Sequence, residues 1–270
     1  MGLLDGKVAI VTGASRGIGA EIARRFGAEG AAVAVAARTT DSGGGSPLPG
    51  TIGETVGQIR AAGGTAVAIA TDLSRAEDRE RLFAETVRQV GAPDILVNNA
   101  AVSFFIRVEE FPPRKFALMF EVQVTAPVHL ATLVLPGMRE KGRGWILNIS
   151  SIAGRHPAMP PEGWAGRGST VYGMCKAAVE RFSTGLAAEV YADNIAVNAL
   201  SPSKVVPTPG TIFHNLTTYE DPNSEPASVM AQAALALCHA DPPTSLTGRI
   251  TYSQDLLHEL GVPVPSANPA

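Results

Sequence analysis

Cysteine and histidine are scarce in this chain: two cysteines, Cys175 and Cys238, and five histidines among 270 residues. So few and so scattered ligands suggest neither a disulfide framework nor a zinc site, and no HxxxH spacing occurs. A reducing, cytoplasmic setting fits that usage. Charge is thin as well, at 17% of residues with a net −3. That excludes the basic stripe with which a nucleic-acid binder displaces counterions from phosphates, so no nucleic-acid partner is expected. No uninterrupted apolar run approaches the ~20 residues that span a bilayer. Residues 1 to 7 also lack the basic flank and apolar run of a signal peptide, so no membrane partner is expected. What the chain does have is apolar bulk, 45% of residues. At this length that is enough to bury a large core, and one α/β domain over 1 to 270 is expected in preference to two small ones.

Residues 8 to 11 form a short apolar run, followed at once by Thr12-Gly13-Ala14-Ser15-Arg16-Gly17-Ile18-Gly19 and a helical pattern from 20 to 29. Strand, glycine turn and helix in that order suit a dinucleotide. Glycines permit the tight turn and bring backbone N–H groups close to a pyrophosphate, which then sits at the positive end of the helix dipole. A second buried strand, 31 to 37, ends in Ala37-Arg38-Thr39. An NAD site usually carries an acid at this point for the ribose 2′-hydroxyl, whereas an arginine suits a 2′-phosphate. Ala37 stands in the acid's place and Arg38 follows, with Arg16 as a second cation, so NADP(H) is favoured over NAD(H).

The pattern then keeps alternating. A glycine- and proline-rich loop near 40–51 reads as a surface insertion. It is followed by a helix near 51–62, a strand 66–70 and a helix 76–90. A strand from 94 then ends in Asn98-Asn99-Ala100-Ala101. Residues 112 to 141 read as two helical pieces, with Thr125 as N-cap of the second and Pro127 in its first turn. A fifth strand, 145–149, delivers Ser150 and Ser151. A Pro/Gly-rich insertion near 155–168 precedes a helix ending near 191. A strand 195–200 leads into an irregular segment near 203–226, expected to be a substrate lid. A helix 227–239 and a strand 248–252 close the pattern. Strands alternating with helices predict βαβ units and a parallel sheet covered on both faces. Phe104 and Phe105 follow the fourth strand, and their expected part is packing or one wall of an apolar pocket.

The chemistry is expected at Tyr172 and Lys176. Spaced i, i+4 on a helix, they share a face, so the ammonium can sit beneath the phenol and lower its pKa from ~10.

TGASRGIG at 12–19, NNAA at 98–101, the serine pair 150–151 and YGMCK at 172–176 together resemble the short-chain dehydrogenase/reductase family, essentially end to end. LPGTI at 48–52, NALSP at 198–202 and TGRITYSQDLL at 247–257 look similar to its hydroxysteroid-dehydrogenase-like group. The resemblance implies a Rossmann-type doubly wound parallel sheet of about seven strands with helices on both faces. It also implies an enzyme that interconverts a secondary alcohol and a ketone by hydride transfer with NADP(H), and a homotetramer or homodimer. Tyr172 is then the general acid/base, Lys176 lowers its pKa and holds the nicotinamide ribose, and Ser151 hydrogen-bonds the substrate oxygen. Cofactor contacts would come from Gly13, Ser15, Arg16, Gly17, Ile18 and Gly19 in the turn and from Arg38. Asp72 and Leu73 would touch adenine, Asn98 and Ala100 the adenosine ribose side, and Pro202, Val205 and Thr208 the region of the carboxamide.

Three departures stand out. Gln123 occupies the place of a family asparagine that supports a water chain to the lysine. The Ser151-to-Tyr172 spacing is longer than usual, which implies an excursion at 155–168 near the site, whose His156 and Trp164 are expected to pack on the surface or, as the alternative, to shape the substrate pocket. Pro202-Ser203 replaces the usual Pro-Gly. Gln123 and Ser203 also motivate the competing reading, an NADP(H)-binding regulatory or scaffold protein with little catalysis.

Overall fold

The computed structural model describes residues 2–40, 48–161 and 167–266. Trp164 and parts of both expected insertions, 41–47 and 162–166, lie outside the described residues. β1 (Val8–Thr12) is buried along its length and runs into α1 (Gly17–Ala28), followed by β2 (Ala32–Ala37). α2 (Ile52–Ala61) starts at a reciprocal capping box. The Glu54 N–H donates to the Thr51 hydroxyl at 3.0 Å, and the Thr51 N–H donates to the Glu54 carboxylate at 3.1 Å. β3 (Thr65–Ala70), α3 (Ala76–Val90) and β4 (Ile95–Asn98) follow.

The stretch 112–141 departs from the expected pair of capped helices. α4 (Pro113–Phe120) passes through a π-helical turn, Glu121–Thr125, directly into α5 (Ala126–Lys141). Thr125 has helical angles, φ −62° and ψ −44°, and caps nothing. Pro127 has no N–H to offer the Gln123 carbonyl. The helix absorbs that defect by widening, with the Ala126 N–H bonded to Glu121 O five residues back, instead of breaking. The combined helix contains a window apolar enough, by length and composition, to cross a membrane, yet half of that window is buried inside the fold.

β5 (Gly144–Ile149), α6 (Thr170–Glu189) and β6 (Ile195–Ser201) follow. The segment near 203–226, expected to be a lid, is not wholly irregular. It holds the short α7 (Pro209–Phe213), capped by Thr208 and Thr211. α8 (Ala227–Cys238) and β7 (Ile250–Tyr252) follow as expected, and α9 (Ser253–Glu259) is an addition.

The strands form one sheet in the order β3-β2-β1-β4-β5-β6-β7, each neighbouring pair parallel. Because strand side chains alternate between faces, single strands feed both cores. Ala9 and Val11 join one cluster while Ile10 joins the other, and Trp145 and Leu147 oppose Ile146 in the same way. α1 and α8 cover the first face; α3, α5 and part of α6 cover the second. Continuous apolar runs were needed for this, since strands buried on both faces cannot alternate with polar residues.

Candidate active site

The carboxyl ends of β1 and β4 lie side by side, and their chains leave toward opposite faces of the sheet. Such a switch point is where open α/β sheets take ligands. The backbone there is drawn tight. Gly13 and Gly17 hold φ of +65° and +58°, and a Cβ on Gly13 would lie 2.7 Å from the Ala100 Cα. The turn is stapled to β4 by Asn99, whose side-chain amide donates to Thr12 O at 2.9 Å and Gly13 O at 3.1 Å. The Thr12 hydroxyl accepts the Asn99 and Ala100 N–H groups at 3.0 and 3.2 Å. Arg16 reaches sideways to Thr39 Oγ1 at 2.9 Å and Gly50 O at 2.7 Å. Burial, with the charge of Arg38 next, lowers the Arg16 pKa, so the two guanidiniums share one neighbourhood.

At the end of β5 the serine pair splits, as successive strand residues must. Buried Ser150 donates to Glu180 at 2.7 Å, whereas Ser151 starts a short turn, accepting the Ala153 N–H at 3.3 Å, with the Tyr172 phenol beside it. That approach depends on Gly173, where a Cβ would meet Ala153 O at 2.4 Å. Lys176 is 4% exposed. Its ammonium donates to Ile149 O at 2.9 Å and lies 5.6 Å from the Tyr172 ring centroid.

The electrostatics correct one expectation. Burial pushes the Tyr172 phenol up, with the Ser151 hydrogen bond pulling the other way. The lysine spends its proton on a backbone carbonyl and is itself driven by burial down to about 8. Desolvation therefore outweighs the Ser151 hydrogen bond at the phenol.

Gln123 sits inside the π turn, 1% exposed, and the turn packs against α6. Its amide donates to Val102 O at 2.9 Å, while its Oε1 is a buried acceptor with no partner among the described residues. Phe105 links the tyrosine to the segment after β6: its ring centroid is 5.5 Å from that of Tyr172 and 5.2 Å from that of His214, edge to face in both cases. Burial lowers the His214 pKa.

A family model described as short chain dehydrogenase matches residues 7–215. The chain belongs to the short-chain dehydrogenase/reductase family. An uncharacterised oxidoreductase of Methylorubrum extorquens is 39% identical over 211 residues, 78% of this chain and 77% of that protein. Hydroxysteroid dehydrogenase-like protein 2 of Danio rerio is 31% identical over 97% of this chain and 60% of its own length. Among solved structures, a 7α-hydroxysteroid dehydrogenase complexed with NADH and 7-oxo glycochenodeoxycholic acid superposes with a TM-score of 0.79 at 29% identity, covering 92% of this chain and 93% of that one. A metagenomic short-chain oxidoreductase in complex with NADP gives 0.73 at 28%, covering 93% and 97%. The sheet and its covering helices are thus the Rossmann-like fold of short-chain dehydrogenase/reductases, a nucleotide-dependent oxidoreductase family.

Within this short-chain dehydrogenase/reductase site the residues named from sequence divide. Ser151, Tyr172 and Lys176 come together, and Gln123 lies in the turn packed on their helix. Gly13, Ser15, Arg16, Gly17, Ile18 and Gly19 form the turn at the head of α1, with Arg38 beside Arg16. Thr208 lies against that turn, since a Cβ on Gly17 would be 2.9 Å from its Cγ2. Pro202 and Val205 follow β6. Asp72 accepts from the Ser74 N–H at 3.0 Å and hydroxyl at 2.8 Å, and Leu73 O accepts from Arg79 at 3.2 Å. Asn98 turns across the sheet and donates to Asn148 at 2.8 Å, so the amide in direct contact with the glycine turn is that of Asn99. Asn99 and His214 were not singled out from sequence. The doubled asparagine at a strand end was the available signal for the first; nothing in the sequence pointed to the second.

Proposed function

We propose that this short-chain dehydrogenase/reductase interconverts a secondary alcohol and a ketone of apolar character with NADP(H). The observation that carries the reading is the meeting of Ser151 and Lys176 at Tyr172. The dinucleotide fits on physical grounds: the glycine turn, with positive φ at Gly13 and Gly17, leads into the N-terminus of a twelve-residue helix, whose first N–H groups and dipole favour a pyrophosphate. When bound, the nicotinamide supplies or accepts the hydride. Tyr172 gives its phenolic proton to the carbonyl oxygen in reduction and takes it back in oxidation. A raised phenol pKa keeps that proton in place until the oxygen becomes basic. Ser151 holds the same oxygen as charge develops on it. Lys176, with a pKa brought near 8, holds the ribose side of the cofactor and returns the proton to the phenol. Gln123 is a positioning residue in the turn packed on α6, its buried Oε1 offering an acceptor.

Preference for NADP(H) is supported by Arg38 beside Arg16 with no acid at position 37. The apolar substrate class is supported by Phe105 against Tyr172 and by the exposed Phe213 on the lid. The cytoplasmic setting and a homodimeric or homotetrameric assembly are part of the same proposal. Its test is a panel of ketones and alcohols offered with both cofactors, alongside Arg38→Asp. Turnover of apolar ketones with NADPH is expected. Arg38→Asp is expected to weaken NADPH on the order of 10- to 100-fold, the worth of one charge-assisted hydrogen bond, and NADH little. Equal losses for the two cofactors would sink the NADP(H) preference. NADPH binding without turnover of any panel member would favour a regulatory or scaffold protein.

A further inference from the structure

Glu225 lies at the far end of the lid segment, 1% exposed, a long way in sequence from the catalytic residues. Among the described residues it has no ion-pair partner, and hydrogen bonds alone hold its carboxylate. Oε1 accepts the Ser203 N–H at 3.1 Å and the Ser253 hydroxyl at 2.7 Å, and Oε2 accepts the Gln254 side-chain amide at 2.8 Å. The Glu225 N–H in turn donates to Val205 O at 3.1 Å. The serine that replaces the expected glycine after Pro202 extends this network. Ser203 N–H also reaches Ser253 Oγ at 3.0 Å, and Ser203 Oγ accepts the Gln254 N–H at 2.9 Å. One carboxylate therefore joins the exit of β6, the end of the lid and the first turn of α9.

A buried carboxylate is costly unless its lone pairs are filled, and once filled it is a stiff junction, because removing it leaves several buried donors unsatisfied. Burial pushes the Glu225 pKa up, against the hydrogen bonds from Ser253, Gln254 and the backbone. The junction stands where the lid begins. Three residues beyond Val205, Thr208 crosses the glycine turn with its methyl at Gly17, and six further on His214 faces Phe105. The base of the lid thus sets where its cofactor-facing stretch runs.

We infer that Glu225 is a positioning residue that anchors both ends of the 203–225 lid, so that Ser203 to Thr208 are held against the nucleotide crevice. Its link to cofactor grip rests on the proposed NADP(H) reading; the anchoring itself does not.

Hydrogen exchange of the full chain, followed residue by residue, separates the two. In Glu225→Gln the side-chain oxygen still accepts, while the NH2 that replaces the other oxygen faces the Gln254 amide donor. The amides of 203–208 are expected to exchange at least ~10-fold faster, the effect of losing about one charge-assisted hydrogen bond, while those of β1 and β5 are unchanged. NADPH affinity, by fluorescence titration, is expected to fall by a similar factor. Unchanged exchange at 203–208 overturns the anchor. Faster exchange with unaltered NADPH affinity overturns only the link to the cofactor. NADPH failing to bind the wild type refutes the NADP(H) reading and leaves the exchange result decisive for the anchor. If Glu225→Gln loosens the whole fold, Ser203→Gly is read in its place. It removes the Oγ that accepts the Gln254 N–H at 2.9 Å and the Ser253 hydroxyl at 3.3 Å while leaving the Glu225 carboxylate in place, and a selective gain in exchange at 203–208 supports the anchor while none refutes it.

Discussion

Replacing Gly17 by alanine probes the contact between the glycine turn and the lid. Two costs are expected. Gly17 has φ +58°, where an L-residue is disfavoured by about 1–2 kcal/mol. The new Cβ would also lie 2.9 Å from Thr208 Cγ2 and 3.1 Å from its Cβ, an overpacking worth about 1–3 kcal/mol. Thr208→Ser removes the methyl and keeps the hydroxyl that accepts the Thr211 N–H at 3.1 Å, so alone it is expected to change stability little. In the double variant most of the overpacking cost should return, leaving the backbone cost. Equilibrium urea denaturation of the four proteins gives the coupling energy, expected at about 1 kcal/mol or more and favourable. Additivity within ~0.5 kcal/mol would refute the reasoning, since it would mean that residue 17 and the lid do not press on one another.

Gln123→Asn shortens the side chain by a methylene and withdraws it from Val102 O. Stability should fall by about 1 kcal/mol, and kcat should change while NADPH affinity does not. An unaltered kcat would remove Gln123 from the proton path. Lys176 gives a pH signature. Its folded pKa, about 8, lies below the 10.5 of the exposed side chain, so between these values the unfolded chain holds more protons. Lys176 therefore opposes folding fully below pH 8, and that opposition fades as pH rises toward 10.5. Urea midpoints measured across this window should converge between Lys176→Met and the wild type as pH rises. A constant offset would contradict the depressed pKa. Burial also raises Cys175 and Tyr172, and Cys175 and Lys176 shift one another electrostatically, so both proteins are compared in a Cys175→Ala background.

The strands and the site motifs were legible because each depends on local pattern. Doubly buried strands must be uninterrupted apolar runs, and a pyrophosphate turn must be glycine-rich. The meeting of Ser151 with Tyr172 was expected from the family resemblance; strand ends alone placed the serines only at the same edge of the sheet. Features decided by competition were not. The π turn at 121–125 arises from a missing proline N–H inside a helix packed on both sides, where widening costs less than breaking. The raised Tyr172 pKa reflects burial that a sequence does not display. Glu225 meets Ser203 and Gln254 across gaps of 22 and 29 residues, and no periodicity announces such a junction. Short capped helices such as α7 and α9 fall below the length at which an apolar period can be seen.

The central claim is that Tyr172 transfers the proton. Tyr172→Phe keeps the ring against Phe105 and removes only the hydroxyl that Ser151 meets. With a ketone that the wild type reduces, kcat is predicted to fall by about 10²- to 10⁴-fold, the usual worth of a positioned acid, with NADPH affinity unchanged. Turnover at the wild-type rate in that variant would contradict the account.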